Sequence, residues 1–190
     1  MQPAKTITMT LLSLEHSKLV YRADFAFYGA TVLGLMASLA LGRPIAEWPA
    51  LAGLALLGTA GWTLIEYAMH RFVLHGLPPF KTWHALHHQR PTALIASPTL
   101  FSASLIAVLF VLPAWLLTDV WDAAALTLGL LIGYLGYTIT HHATHHWHFE
   151  SAWLKRRKRA HALHHHLAAP AHFGVTTVFW DRLFGSVPQR

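Results

Sequence analysis

No cysteine occurs among the 190 residues. Disulfides, thiolate-held zinc and iron–sulfur clusters are therefore excluded, and metal ligation is confined to imidazole, carboxylate or water. Charge is scarce as well: 12% of the residues are Asp, Glu, Lys or Arg, about half the usual globular share. Acids are the scarcer sign, eight against fourteen Lys and Arg, so few carboxylates are on hand to orient other groups. A Ser/Gly linker is missing, and so is any low-complexity tract apart from the histidines; a single domain over residues 1–190 is expected. The first twenty residues lack the basic start and continuous apolar core of a cleaved signal peptide, so no detachable leader is expected.

What the chain has in quantity is apolar sequence, 54% of its residues. It falls into four stretches, at about 23–41, 48–69, 97–118 and 123–140. Each is close to the ~20 residues that a helix needs to cross a bilayer. Four such helices buried in a soluble domain would leave too little polar surface to cover them, so an all-α integral membrane fold with four transmembrane helices is expected. Pro113 is expected to kink the third span. Lys5, Lys18 and Arg22 precede the first span, and Arg71, Lys81 and Arg90 lie between the second and third. The opposite loops hold Arg43 alone, beside Glu47, Asp119 and Asp122. The positive-inside rule then puts both termini and the middle loop in the cytoplasm. The alanine-rich, compact sequence suggests a bacterial inner membrane.

Sixteen histidines are present, and ten of them form an ordered repeat. HALHH occurs at 84–88 and again at 161–165, each copy after a histidine pair. The first half-site is His70, His75, His84, His87 and His88; the second is His141, His145, His161, His164 and His165. Side chains three and four apart share a helix face, so each triplet and the pair His141/His145 can converge. His70 and His75, five apart, need a break, which Gly76 and Pro78 offer. Imidazole is the usual neutral-pH ligand of Zn, Fe, Cu and Ni, and two matched sets suggest a dinuclear centre. A closed structural zinc site needs only four ligands. Since the second and fourth apolar stretches run straight into His70 and His141, the centre belongs at the cytoplasmic membrane surface, as a histidine-rich dimetal cap. A lipid chain could reach it from the bilayer while electrons and protons arrive from water.

Glu66, one turn before His70, is a candidate acceptor for the free ring N–H of that histidine. Asp181 could hold an imidazole or pair with Arg182. Tyr137, one turn before His141, could pack or orient, and His172 could lie near the cavity. His142, His146, His148, His166 and His172 break the face pattern, His16 lies far from it in sequence, and all stay outside the ligand set. The run Lys155–Arg159 (KRRKR) favours anionic headgroups first, an acidic electron-transfer partner second, and nucleic acid last.

The ordered set HRFVLH, HALHH, HHATH and HALHH resembles the histidine signature of the fatty acid hydroxylase/sterol desaturase superfamily. GWTLIEYAMHRFVLHG (61–76) and FGVTTVFWDRLFG (173–185) are similar to its fatty acid 2-hydroxylase branch. The resemblance implies a four-helix membrane fold whose ten histidines hold two metals that activate O2, iron being expected and zinc possible in a purified sample. It implies a lipid acyl chain as substrate, hydroxylated at C2. No cytochrome b5 domain is seen, so a separate electron donor is expected, of cytochrome b5, ferredoxin or reductase type. Carotenoid or sterol oxidation is the alternative within the chemistry; a membrane metal-handling protein or a structural lipid-interaction protein is the alternative outside it.

Overall fold

The computed structural model describes residues 14–149 and 151–188; Lys5 lies outside them. The chain enters helix α1 (Lys18–Gly42) through Ser17, whose hydroxyl accepts the N–H of Val20. A short 3-10 turn and Pro49, in the first turn where its missing N–H is harmless, start α2 (Trp48–Ala68). α2 continues without interruption into a π-helical turn, Met69–Leu74. α3 (Phe80–Gln89) follows Pro78-Pro79 and carries the first HALHH. The third span is built of α4 (Thr99–Ile106), a π segment (Ala107–Val111) and α5 (Leu112–Leu117). The expected disturbance at Pro113 takes this form: the wider turn precedes a residue that cannot donate to the helical ladder. Asp119 caps α6 (Val120–His146) by accepting from Trp121 and Asp122, and Ser151 caps α7 (Ala152–His166) by accepting from Leu154. An irregular strap then leads to α8 (Phe179–Leu183).

Four helical stretches are long and apolar enough to cross a membrane: Lys18–Gly42, Ile45–Leu74, Thr99–Leu117 and Val120–His146. Three run further than the apolar stretches in the sequence suggest, the second and fourth at their histidine ends. At ~1.5 Å per residue, α6 is about 40 Å long against a hydrocarbon core of about 30 Å. The end that overruns the apolar stretch carries His141 and His145, as the π turn at the end of the second span carries His70. α6 is the central helix, burying Ala125, Leu128, Leu130 and Leu131, while the other spans turn residues such as Leu33, Leu57 and Leu116 outward. α2 and α6 approach at backbone distance. A Cβ at Gly129 would fall on the Ala55 carbonyl, and the Thr59 hydroxyl lies within hydrogen-bond reach of both Ala55 O (2.9 Å) and Gly129 O (3.0 Å). Small residues at a lipid-embedded helix crossing allow this contact. Among the described residues no strand forms; one isolated bridge, Glu15 to Ile95, ties the N-terminal segment to the loop before α4.

Candidate metal centre

All ten histidines expected from the repeat come together, at the end of the bundle where the second and fourth spans overrun their apolar stretches. They form two groups of five: His70, His75, His84, His88 and His164 in the first, His87, His141, His145, His161 and His165 in the second. Within each group the ligand nitrogens all lie within 4.8 Å of one another. The division differs from the sequence expectation, because His87 and His164 change places. Residues four apart on a helix point nearly the same way, whereas the one at i+3 is rotated aside. So α3 gives His84 and His88 to the first group and His87 to the second; α7 gives His161 and His165 to the second and His164 to the first. The two groups are interleaved, with His88 and His165 stacked at 4.2 Å between ring centroids.

The π turn answers the five-residue spacing of His70 and His75. Its i→i+5 pattern, seen in the bond from His75 N–H to His70 O (3.2 Å), brings residues five apart onto one face, and the two rings lie 5.2 Å apart. The break expected at Gly76 and Pro78 is not what re-aims the chain.

The Nε2 atoms point at one another. In the first group the separations are 3.0 Å for His70–His84, His84–His88 and His75–His164, and 3.1 Å for His88–His164. In the second they are 3.1 Å for His87–His141, 2.8 Å for His145–His161 and 3.1 Å for His161–His165. Two metal–nitrogen bonds of about 2.1 Å at a right angle put their nitrogens about 3.0 Å apart, against about 3.4 Å at a tetrahedral angle. Protons cannot account for these contacts. His70 and His164 spend Nδ1–H on the carbonyls of Phe173 (2.5 Å) and Ala171 (2.7 Å), which leaves both bare at Nε2. His84 could donate to His70, but its Nε2 then has no lone pair for His88. A shared cation satisfies every nitrogen at once, so the residues present fit a metal ion in each group.

Outside the spans, burial and then neighbouring imidazoles hold the rings neutral. The His75 pKa falls to about 4, those of His87 and His164 to about 3 and that of His165 to about 2, and burial likewise pushes His84 and His161 well down. Neutral imidazole is the ligating form. An unfolded chain takes up protons at these positions near pH 6.5, while the folded one stays unprotonated to about pH 4 at His75. The unfolded state therefore binds more protons as the medium acidifies, and stability is lost as pH falls from about 6.5 toward 4. Thermal midpoints of the protein in detergent should drop steadily between about pH 7 and pH 5; an unchanged midpoint would contradict this arrangement.

Glu66 and Asp181, both candidates to hold an imidazole, act one step further out. Glu66 (4% exposed) accepts from Val175 N (2.6 Å), Thr176 N (2.9 Å) and the Thr176 hydroxyl (2.5 Å). Asp181 (0% exposed) accepts from Phe173 N (2.7 Å), Gly174 N (2.9 Å) and Ser186 Oγ (2.8 Å), and does not pair with Arg182. Both carboxylates hold the strap after α7, and the strap's own carbonyls, at Ala171 and Phe173, hold the histidines. A main-chain acceptor has no sequence signature, which is why these two were missed. Gly174 is needed here, since a Cβ would strike Thr177 O and Asp181. His172 lies between the two carbonyls with φ 55, its N–H donating to Ser186 O. It sits in the irregular strap and is not among the cavity-lining side chains.

The two sequence stretches singled out above are halves of one contact. Trp180 donates to Thr63 (2.9 Å), Val175 and Thr176 meet Glu66, Tyr67 meets Ser186 (3.0 Å), and Phe173 meets His70. Tyr137 stacks on His141 with ring planes 6° apart. The remaining histidines stay outside both groups: His142 meets Tyr21 OH (3.3 Å) and stacks on His146, and His16 bonds Ala96 O (3.1 Å). In the KRRKR run Lys155, Arg156 and Arg159 are exposed while Arg157 is buried.

A cavity of about 240 Å³ lies among the spans and ends at both groups. Its walls are mostly apolar, including Trp62, Ile106, Leu109 and Phe110, and Glu66 and Tyr137 reach it. His70 and His84 border it from the first group, His87 and His141 from the second. Asp24, bonded to Thr99 (2.6 Å), is one of its few polar contacts.

Residues 55–186 match the family described as fatty acid hydroxylase. The chain is 31% identical over 153 residues to a dihydroceramide fatty acyl 2-hydroxylase of Arabidopsis thaliana, covering 74% of this chain and 63% of that protein. It is 33% identical over 148 residues to the fatty acid 2-hydroxylase of Homo sapiens, covering 70% and 38%. It thus spans less than two thirds of the length of either relative. A solved structure of full-length scs7p, in which only the hydroxylase domain is visible, superposes with a TM-score of 0.79 at 25% identity, covering 93% of this chain and 68% of that one.

Proposed function

The chain belongs to the fatty acid hydroxylase family, and on that premise we propose that it is an O2-dependent lipid hydroxylase of the membrane, acting on an acyl chain at C2. The observation that carries this reading is the cavity: an apolar space within the spans that is bounded by histidines of both groups. An acyl chain entering from the bilayer buries its methylenes there and presents one end to the paired groups. The relatives named as acyl 2-hydroxylases support C2 as the position.

We propose the ten grouped histidines as ligands of two iron ions, with zinc able to occupy the same nitrogen sites in a purified sample. Bound there, the ions supply what imidazole cannot, the binding and reductive activation of dioxygen. The balance is one C–H and one O2 in, one C–OH and one water out, with two electrons and two protons consumed. The chain's own side chains do the positioning. Apolar walls exclude water, Tyr137 backs His141, and the carbonyls of Phe173 and Ala171 fix the tautomers of His70 and His164. The electrons come from a donor of cytochrome b5, ferredoxin or reductase type. The basic residues flanking the spans support a cytoplasmic site and cytoplasmic termini in one membrane domain, and the composition supports a bacterial inner membrane. The exposed cations of α7 suit anionic lipid headgroups.

A lipid mass-spectrometric profile of cells that express the chain with an electron donor tests the proposal. The expected result is new acyl species heavier by one oxygen, hydroxylated at C2. Unchanged acyl lipids beside oxidised carotenoids or sterols would move the substrate, and no oxidised lipid at all would overturn the oxygenase reading.

A further inference from the structure

The two groups of five are alike in composition and unlike in their surroundings. In the first, the free ring N–H of His70 and that of His164 each meet a backbone carbonyl. Those carbonyls belong to a strap pinned by two buried acids, through three hydrogen bonds at Glu66 and two at Asp181. In the second group the Nδ1 atoms of His87, His161 and His165 are all buried with no hydrogen-bond partner; no first-group histidine shares that condition among the described residues. A ligand histidine normally donates its second N–H, and losing such a partner costs metal affinity about 10–100-fold. A buried N–H left unmade carries a penalty of its own.

A second observation points the same way. A separate pocket of about 110 Å³ opens on the second group alone: Thr144, Lys158 and His166 face His145, His161 and His165 across it. It is large enough for several waters and lined by groups able to bind them. That pocket does not reach the first group, against which the strap packs instead, Phe173 lying 5.5 Å from His75 and 5.6 Å from His164 between ring centroids.

We propose that the two metal positions are unequal: the first group holds its ion tightly under the strap, while the second holds its ion more weakly and exchanges it through the polar pocket beside Lys158. The inference rests on the two-metal reading above. Its test needs no lipid substrate, so failure of the hydroxylase reading leaves it intact.

The experiment loads the detergent-solubilised protein with zinc, adds excess chelator and counts the metal remaining per chain over time by plasma mass spectrometry. The wild type is expected to lose one equivalent at least about tenfold faster than the other. His145→Ala, which spoils the second group, should retain an equivalent that resists the chelator. His75→Ala, which spoils the first, should retain one that leaves quickly. Glu66→Gln should speed the slow phase and leave the fast one unchanged, which separates positioning of the strap from general loosening. A single phase in the wild type, or resistance in His75→Ala with lability in His145→Ala, overturns the proposal. Should neither variant retain metal, the wild-type time course decides: two phases support it and one phase refutes it.

Discussion

On the proposed reading, replacing His84 and His87 together with alanine should empty both metal positions and abolish lipid hydroxylation. The two residues are one turn apart on α3, yet they serve different groups. His84 Nε2 is 3.0 Å from both His70 and His88 and links them in the first group's chain of contacts. His87, 5% exposed, meets His141 Nε2 at 3.1 Å in the second. Alanine is the best helix former, so α3 keeps its helix while losing one ligand to each ion. Metal analysis should fall from two equivalents per chain to near zero, and activity by more than about 100-fold. The single variants should each lose about one equivalent. His142→Ala and His146→Ala, outside both groups, should retain two. A double variant that kept its metal would show that these imidazoles are not the ligands.

Asp181→Ala should be the most damaging change away from the histidines. The carboxylate is fully buried and accepts three hydrogen bonds, two of them from the backbone of Phe173 and Gly174. Truncation leaves those two N–H groups buried without partners, each costing about 1–3 kcal/mol, for about 2–6 kcal/mol in all. The same strap carries the carbonyls that orient His70 and His164, so loss of stability and loss of the first ion should appear together. Thermal midpoint and metal content measured on one preparation check both. Retention of both at wild-type level would mean that the strap does not hold the first group.

Sequence periodicity disclosed the ten histidines and the four spans because both follow from chain-local physics, namely helix faces and the thickness of a bilayer. It paired the wrong triplet members because membership depends on which side of α3 and α7 each neighbouring helix presents, a tertiary fact. Glu66 and Asp181 stood out as rare acids in an acid-poor chain, yet their partners are backbone N–H groups more than a hundred residues away for Glu66 and seven or eight for Asp181. Nothing in residue identity marks Phe173 O or Ala171 O as acceptors, since every residue carries a carbonyl. The π turn at Met69–Leu74 was half visible. The five-residue spacing of His70 and His75 is wrong for an α-helix and right for an i→i+5 turn.

Supplying heavy-isotope dioxygen during the lipid profile tests the central claim most directly. The account predicts that the C2 hydroxyl of new acyl species carries the label from O2, and that the label disappears with His84→Ala/His87→Ala. Hydroxyl oxygen drawn from water, or labelled product in the double variant, would contradict a histidine-held oxygen-activating centre at the end of a lipid cavity.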